Sequence, residues 1–362
     1  MSNIKKMSNV RRLEVVDFLR GFSIFTIVLM HLVQSYPLPG FLMKASSLGG
    51  AGVHVFILCS GFGLYLSSLY KPLGYGQFLK RRFSKVYIPY LIVVLASALY
   101  FGLVCGNNVM MPLLGSVFLF KMFVPSLESA FGGQMWFVST IIQFYLFWPL
   151  IVRLFRTIRG GQIALLISLA WATFTTLTGL DDERIWNSFF LQYLWEFVLG
   201  MWLAKVYFEH PEKIKIPSFG ILIVSMLVGL GLTGVAGFVG GIWKSYNDIP
   251  SLIGYMSMVL IVYKVGIKLI NRFFAYTNKV SYEWYLIHIL IFSIYFEFTR
   301  GILPFYIDWV ILMVASYGVA IGYHKIIYYL TCLSMKVNKA IFFKKKRNSL
   351  AVSKNNRSFA SK

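Results

Sequence analysis

The stretch Asp17-Phe-Leu-Arg20-Gly-Phe-Ser-Ile-Phe-Thr-Ile-Val-Leu-Met-His31 is an apolar run that carries one acid, one arginine and one histidine. As an α-helix it places Arg20 and His31 within about 20° of each other and roughly 16 Å apart along the axis. Asp17 falls within about 40° of His31 on the same projection. Phe25, Val28 and Leu32 point elsewhere and are free to meet lipid or neighbouring helices. One helix thus aims an acid, a cation and a base along a single stripe. Ionisable groups inside a bilayer are costly and by default mark a functional path.

The rest of the chain fits that reading. Its 362 residues are 58% hydrophobic and only 13% charged, where a soluble chain would carry about 25% charge. Long apolar runs bounded by Lys and Arg recur from end to end, which makes this an all-α polytopic membrane protein. The net charge of +22 does not point to nucleic acid. The basic residues lie between the apolar runs, where orientation and anionic lipids account for them. Cys59, Cys105 and Cys332 are far apart and have neither a metal spacing nor an obvious disulfide partner; they read as small buried hydrophobes. No metal centre is expected. The N-terminus has no cleavable-signal pattern.

About ten spanning helices are expected, near residues 17–36, 51–70, 87–105, 134–153, 162–179, 189–206, 218–238, 249–265, 281–299 and 307–330. With both termini cytoplasmic, the inner segments collect Lys5, Lys6, Arg11 and Arg12, then Lys71 and Lys80–Lys85, then Arg153, Arg156 and Arg159. Lys205, Lys213, Lys215, Lys264, Lys268, Arg272 and Lys279 continue the pattern. The outer segments hold fewer cations (Lys44, Lys121, Arg184, Lys244, Arg300) and most of the acids, including Glu128, Asp181, Asp182, Glu183, Asp248 and Asp308. This is the bias of a multi-pass protein of the cytoplasmic membrane. The chain divides into a cytoplasmic segment (1–16), a membrane domain (17–335) and a basic cytoplasmic tail (336–362) expected to lack regular structure. Residues 106–133 suggest an interfacial or re-entrant outer segment, or a loop helix. The glycine-rich residues 230–241 suggest close helix packing or an irregular helix end.

Several further groups invite chemistry. His31 alone reads more readily as a packed histidine than as a catalyst, but its alignment with Arg20 and Asp17 favours a general base. Asp17 and Arg20 alternatively form an i,i+3 pair that makes each tolerable. The run Lys80-Arg-Arg-Phe-Ser-Lys85 is expected in the first inner loop, as a topology signal or as a clasp for a polyanionic cytoplasmic donor. Trp136, Ser139, Gln143 and Tyr145 offer stacking and hydrogen bonds at the fourth span. Ser281, Tyr285 and His288 form a stripe on the ninth. Ser60 lies in a run of small residues on the second. His54 reads as structural, and Glu196, Glu297 and Lys325 have no partner assignable from sequence.

Six pieces, in this order, carry a resemblance. They are Asp17-x-x-Arg20-Gly, Arg20 ahead of His31, and the Gly-x-x-Gly-Val element of residues 49–53 with Ser60-Gly-Phe. The others are Arg82-x-x-Lys85 with Tyr87 and Pro89, then Trp136…Gln143-Phe-Tyr145…Pro149, and Ser281-Tyr…Tyr285-Leu-Ile-His288. Spread over most of residues 11–290, they resemble the acyltransferase-3 family of ten-helix membrane acyltransferases. The resemblance implies transfer of an acyl group, usually acetyl from cytoplasmic acetyl-CoA, to a hydroxyl of an extracytoplasmic or lipid-linked glycan. It further implies that His31 is the base or acyl relay and Arg20 its partner, with Asp17 beside them. Arg82, Lys85, Arg81 and Tyr87 would bind the CoA donor. Trp136, Ser139, Gln143, Tyr145, Ser60, Tyr285 and His288 would face the acceptor. Two positions depart from the pattern. Lys85 stands where Arg is usual, keeping the charge without the bidentate fork. Ile141 and Ile142 occupy the place of a Glu that many members carry. O-succinyl transfer within the same family, a flippase of a lipid-linked sugar and an inactive interaction partner are the alternative readings.

Overall fold

The structure is a computed structural model that describes residues 13–157, 159–299 and 302–359. Lys5, Lys6, Arg11, Arg12 and Arg300 lie outside the described residues. Among the described residues the secondary structure is entirely helical. The principal helices are α1 (Glu14–Gln34), α2 (Gly40–Ser47), α3 (Gly52–Tyr70), α4 (Tyr75–Leu99) and α5 (Met110–Val117). The middle of the chain supplies α6 (Trp136–Leu146), α7 (Trp148–Phe155), α8 (Gly160–Leu177), α9 (Arg184–Asn187) and α10 (Leu194–Glu209). Then follow α11 (Phe219–Val239), α12 (Gly241–Ser245), α13 (Asp248–Val265), α14 (Lys268–Thr277), α15 (Ser281–Thr299) and α16 (Phe305–Phe359). Each of the ten expected spans falls on one of these helices or on the α6–α7 pair. Seven segments are long and apolar enough to cross a membrane, and the bent α6–α7 pair would be an eighth. Of the other two, α10 has 16 residues and α15 is diluted by Glu283, His288 and Glu297.

Helix α1 is the hub. It touches α3, α13, α14, α15 and α16, and Phe18, Ile24, Val28 and Leu32 on it are fully buried. Gly21 explains how α14 comes so near. A Cβ there would lie 1.8 Å from the Phe274 carbonyl oxygen, so only glycine admits the crossing. Glycines make a second close crossing where α3 meets α10. A Cβ on Gly61 would lie 2.0 Å from the Phe197 carbonyl oxygen, and one on Gly200 would lie 2.0 Å from that of Leu58. Gly200→Ala must push these helices apart and is expected to cost about 1–3 kcal/mol or more. Gly63→Ala, with open space around the added methyl, is the control. Thermal unfolding of both variants in detergent checks the difference, and equal midpoints would refute the crossing.

Three regions differ from the sequence reading. The basic run is not in a loop. It lies on α4, which begins at Tyr75 because Lys, Arg and Gln are good helix formers and Gly74 precedes them. Arg82 and Lys85 therefore share a face at i,i+3 spacing. The fourth span is bent by 64° between α6 and α7, where Pro149 in the first turn of α7 cannot continue the α6 hydrogen-bond ladder. Helix α16 runs on through residue 336 to Phe359, so the backbone there is helical rather than irregular. No Gly or Pro follows Gly322 to interrupt it. In the glycine-rich region, Gly231, Gly234 and Gly237 face open space. The close contact is Gly229 against Gly254, 2.5 Å from an added Cβ to the other Cα, and Gly240 ends α11 at φ 74°.

Residues 106–133 fold as α5 and short 3-10 turns, none long enough to span. Lys121, only 2% exposed, holds this segment together. Its Nζ donates to the carbonyl oxygens of Ala130 at 2.5 Å and Gly132 at 3.4 Å. Burial pulls the Lys121 ammonium down to about 8, against the opposing charge of Glu128. The unfolded chain, with an ordinary lysine near about 10.4, binds more protons between these values. Stability is therefore gained as pH rises from about 8 to about 10 and lost on acidification through 8. The pH-dependent part of the melting temperature in that window should be smaller in Lys121→Met. Identical profiles would contradict the assignment.

Candidate active site

His31 and His288 meet where α1 packs on α15. Their rings stack at 5.1 Å with 13° between planes, and His31 Nδ1 lies 2.9 Å from His288 Nε2. The other nitrogen of His288, Nδ1, lies 3.0 Å from the Trp284 carbonyl oxygen. A carbonyl only accepts, so His288 carries its proton on Nδ1, and its Nε2 is the acceptor when the ring is neutral. His31 must then donate from Nδ1. That leaves His31 Nε2 with a bare lone pair, which is the form a general base requires. His288 is 0% exposed and turns both nitrogens to protein groups. It is therefore able to orient the His31 ring. Trp284 is held in turn by a bond from its Nε1 to Ser316 Oγ at 3.0 Å.

One helical turn below the histidines lies a cavity of about 220 Å³. Ile27 and Tyr285 form its nearer wall, one turn before His31 and His288 in their helices. Arg20, Arg82 and Lys85 line it too, as do Ser60 and Tyr145. Larger cavities of about 730 and 700 Å³ contain none of these residues. The Nε atoms of Arg20 and Arg82 are both buried without a hydrogen-bond partner. Their guanidinium carbons stand 5.6 Å from the centre of the Phe56 ring and 5.8 Å from that of Phe78. Buried N–H donors are rarely left unsatisfied in a finished structure. Two of them beside one cavity, with Lys85 adding charge, are groups that could hold an anionic or strongly polar ligand.

The remaining candidates divide. Asp17 accepts from Asn278 Nδ2 at 2.7 Å and does not line the cavity. Arg81 is exposed and turned away from it. Tyr87 donates to the Val117 carbonyl oxygen, which ties α4 to α5 instead of facing a donor. The hydroxyl of Tyr285 donates to the Gln134 carbonyl oxygen. Gln143 accepts from the Phe190 backbone N–H at 3.2 Å, and Ser139 is buried away from the cavity. Trp136 stacks on Tyr193 at 5.8 Å with the Arg184 guanidinium 5.6 Å above its ring. This aromatic group borders His54, a residue that reads as structural from sequence. His54, Glu196 and Asp248 are the one group of metal-ligating side chains in mutual reach among the described residues. No spacing rule joins positions 54, 196 and 248. Only the packing of α3, α10 and α13 does.

The fold is that of a helical integral membrane protein, with His31 and Arg20 on α1 and Arg82 and Lys85 facing the same cavity from α4. The chain belongs to the acyltransferase-3 family: the family model described as "Acyltransferase domain" matches residues 13–325. A curated relative named "Acyltransferase MdmB", from Streptomyces mycarofaciens, is 28% identical over 225 residues, which cover 54% of this chain and 58% of that protein. The chain thus spans little more than half the length of the relative it matches. No solved structure matches it.

Proposed function

We propose that the protein is a membrane O-acyltransferase that moves acetyl from cytoplasmic acetyl-CoA to a hydroxyl of an extracytoplasmic or lipid-linked glycan. The observation that carries the reading is the chain from His31 through His288 to Trp284, which prepares His31 Nε2 as a base above a cationic cavity. Family membership and the name of the relative support acyl transfer.

In this reading CoA is the donor substrate and phosphates or the thioester oxygen engage Arg82, Lys85 and Arg20. The acceptor hydroxyl gives its proton to His31 Nε2 as its oxygen attacks the thioester carbonyl carbon. The carbon–sulfur bond breaks, and the imidazolium returns the proton to the departing thiolate. The His31 cation is stabilised because its Nδ1–H already points at His288 Nε2. The cavity of about 220 Å³ is below the roughly 300–1,000 Å³ of pockets that enclose drug-sized ligands. It suits a thioester with a short acyl group, which favours acetyl over longer chains. The N- and C-termini would be cytoplasmic, with Arg82 and Lys85 near the inner end of the bundle and His31 toward the outer.

The test is donor selectivity. Protein in lipid nanodiscs, given acetyl-, succinyl- and octanoyl-CoA with a panel of sugars, should release CoA fastest from the acetyl donor. It should also form an acetyl ester detectable by mass spectrometry. Acyl-CoA left intact across the panel would overturn the proposal.

His288→Ala is expected to lower kcat about 10- to 100-fold with little change in the KM for acetyl-CoA, because it frees the His31 ring without touching the donor cavity. His288→Asn, which keeps an acceptor, should recover part of the loss. Steady-state kinetics of the two variants check this, and an effect confined to KM would return His288 to substrate binding.

A further inference from the structure

We infer that the crevice between α8 and α10 is a binding site for one phospholipid with an anionic headgroup. The crevice has a volume of about 730 Å³. It reaches into the bundle, because Tyr65 of α3 and Val198 of α10, which line it, are only 7% and 2% exposed. On α10 its wall follows one face through Trp195, Leu199 and Trp202 to Lys205, the spacing of a helical stripe. From Lys205 back to Trp195 that wall runs about 15 Å. This is the depth of one leaflet of a hydrocarbon core about 30 Å thick. The inner end of the crevice is closed, where the Trp195 backbone N–H donates to Ser168 Oγ at 3.2 Å and ties α10 to α8.

The other end is charged. Arg156 and Lys205 stand at the mouth against one acid, Glu209. Both cations are exposed, and neither forms an ion pair among the described residues. Gly160 and Gly161 bring the first turn of α8 to the same mouth, and with it the positive end of the backbone dipole. A largely apolar slot one leaflet deep, under two unpaired cations, matches a lipid with an acyl chain in the slot and its phosphate at the mouth. The crevice of about 700 Å³ beside α1 offers one cation, Lys215, against one acid, Glu14, and so carries no such charge preference. With the cytoplasmic termini proposed above, the charged mouth lies at the cytoplasmic leaflet, whose anionic lipids attract basic groups. The inference takes that topology from the proposed function and uses none of its chemistry.

Protein purified in detergent and freed of lipid would be titrated with phosphatidylglycerol and, separately, with phosphatidylcholine, the bound lipid being counted by native mass spectrometry. The expected result is one phosphatidylglycerol per chain, bound roughly 10- to 30-fold more tightly than phosphatidylcholine, since each cation near a membrane surface contributes about fivefold. Arg156→Gln/Lys205→Gln should lose that preference. Lys268→Gln/Arg272→Gln makes the same charge change on α14, away from the crevice, and should keep it. Gly161→Phe, where an added Cβ meets nothing within 4 Å, should narrow the mouth and weaken both lipids. Equal binding of the two lipids by the wild type would overturn the site. So would a preference that survives Arg156→Gln/Lys205→Gln, or one that falls equally in the α14 pair.

Discussion

Replacing His31 with alanine should lower acyl transfer by about 10³-fold, within the 10²–10⁴ range of a positioned general acid–base. The reason lies in the protonation chain. The Trp284 carbonyl fixes the His288 proton on Nδ1, His288 Nε2 accepts from His31 Nδ1, and His31 Nε2 is left with the lone pair that the proposed base needs. Alanine removes that base and also strands the His288 Nε2 lone pair in a fully buried position. The stranded acceptor should cost roughly 1–3 kcal/mol of stability. His31→Gln separates the two effects, because a side-chain amide can still donate to His288 but takes up no proton near neutral pH. Both variants should be inactive, and the glutamine variant should melt nearer the wild type. An active His31→Gln enzyme would show that the ring only fills space.

Arg20→Met should raise the KM for the acyl-CoA donor about 10²- to 10³-fold and weaken CoA binding to match. Removing one member of a buried, hydrogen-bonded charge pair typically costs about 2–5 kcal/mol. The guanidinium rests against Phe56 with its Nε unpartnered at the cavity wall. In the proposed function that Nε–H is a donor whose acceptor arrives with the substrate. Methionine preserves the apolar contact with Phe56 and deletes the charge. Arg20→Lys keeps the charge and loses the fork, so it should fall between the two. Calorimetric titration with CoA measures the effect directly. Unchanged CoA affinity in Arg20→Met, with the fold intact, would confine Arg20 to a structural role.

The first helix could be read from sequence because both of its messages are local. Helical spacing alone puts Arg20, Ile27 and His31 along one side, and Gly21 beside Arg20 marks the approach of α14. The positions of most spans were legible for the same reason, since a run of apolar residues states its own length. What the sequence concealed was pairing between distant helices. His288 was visible as part of a stripe, but the 2.9 Å bond that makes it the orienter of His31 exists only once α15 packs on α1. The group of His54, Glu196 and Asp248 was hidden likewise. Arg82-x-x-Lys85 was recognised as basic but expected in a loop. Helix propensity across residues 75–85 overrides that expectation and gives the two cations a common face. Tyr87 shows the converse, a motif residue whose hydroxyl serves the α4–α5 contact.

The central claim is that His31 performs acyl transfer from a CoA thioester. The most direct measurement uses sealed inside-out membrane vesicles and acetyl-CoA labelled on the acetyl group, with wild type and His31→Ala at matched expression. The account predicts label in polysaccharide or lipid-linked sugar from the wild type and at least about 10²-fold less from the variant. Equal incorporation by the two proteins would contradict it.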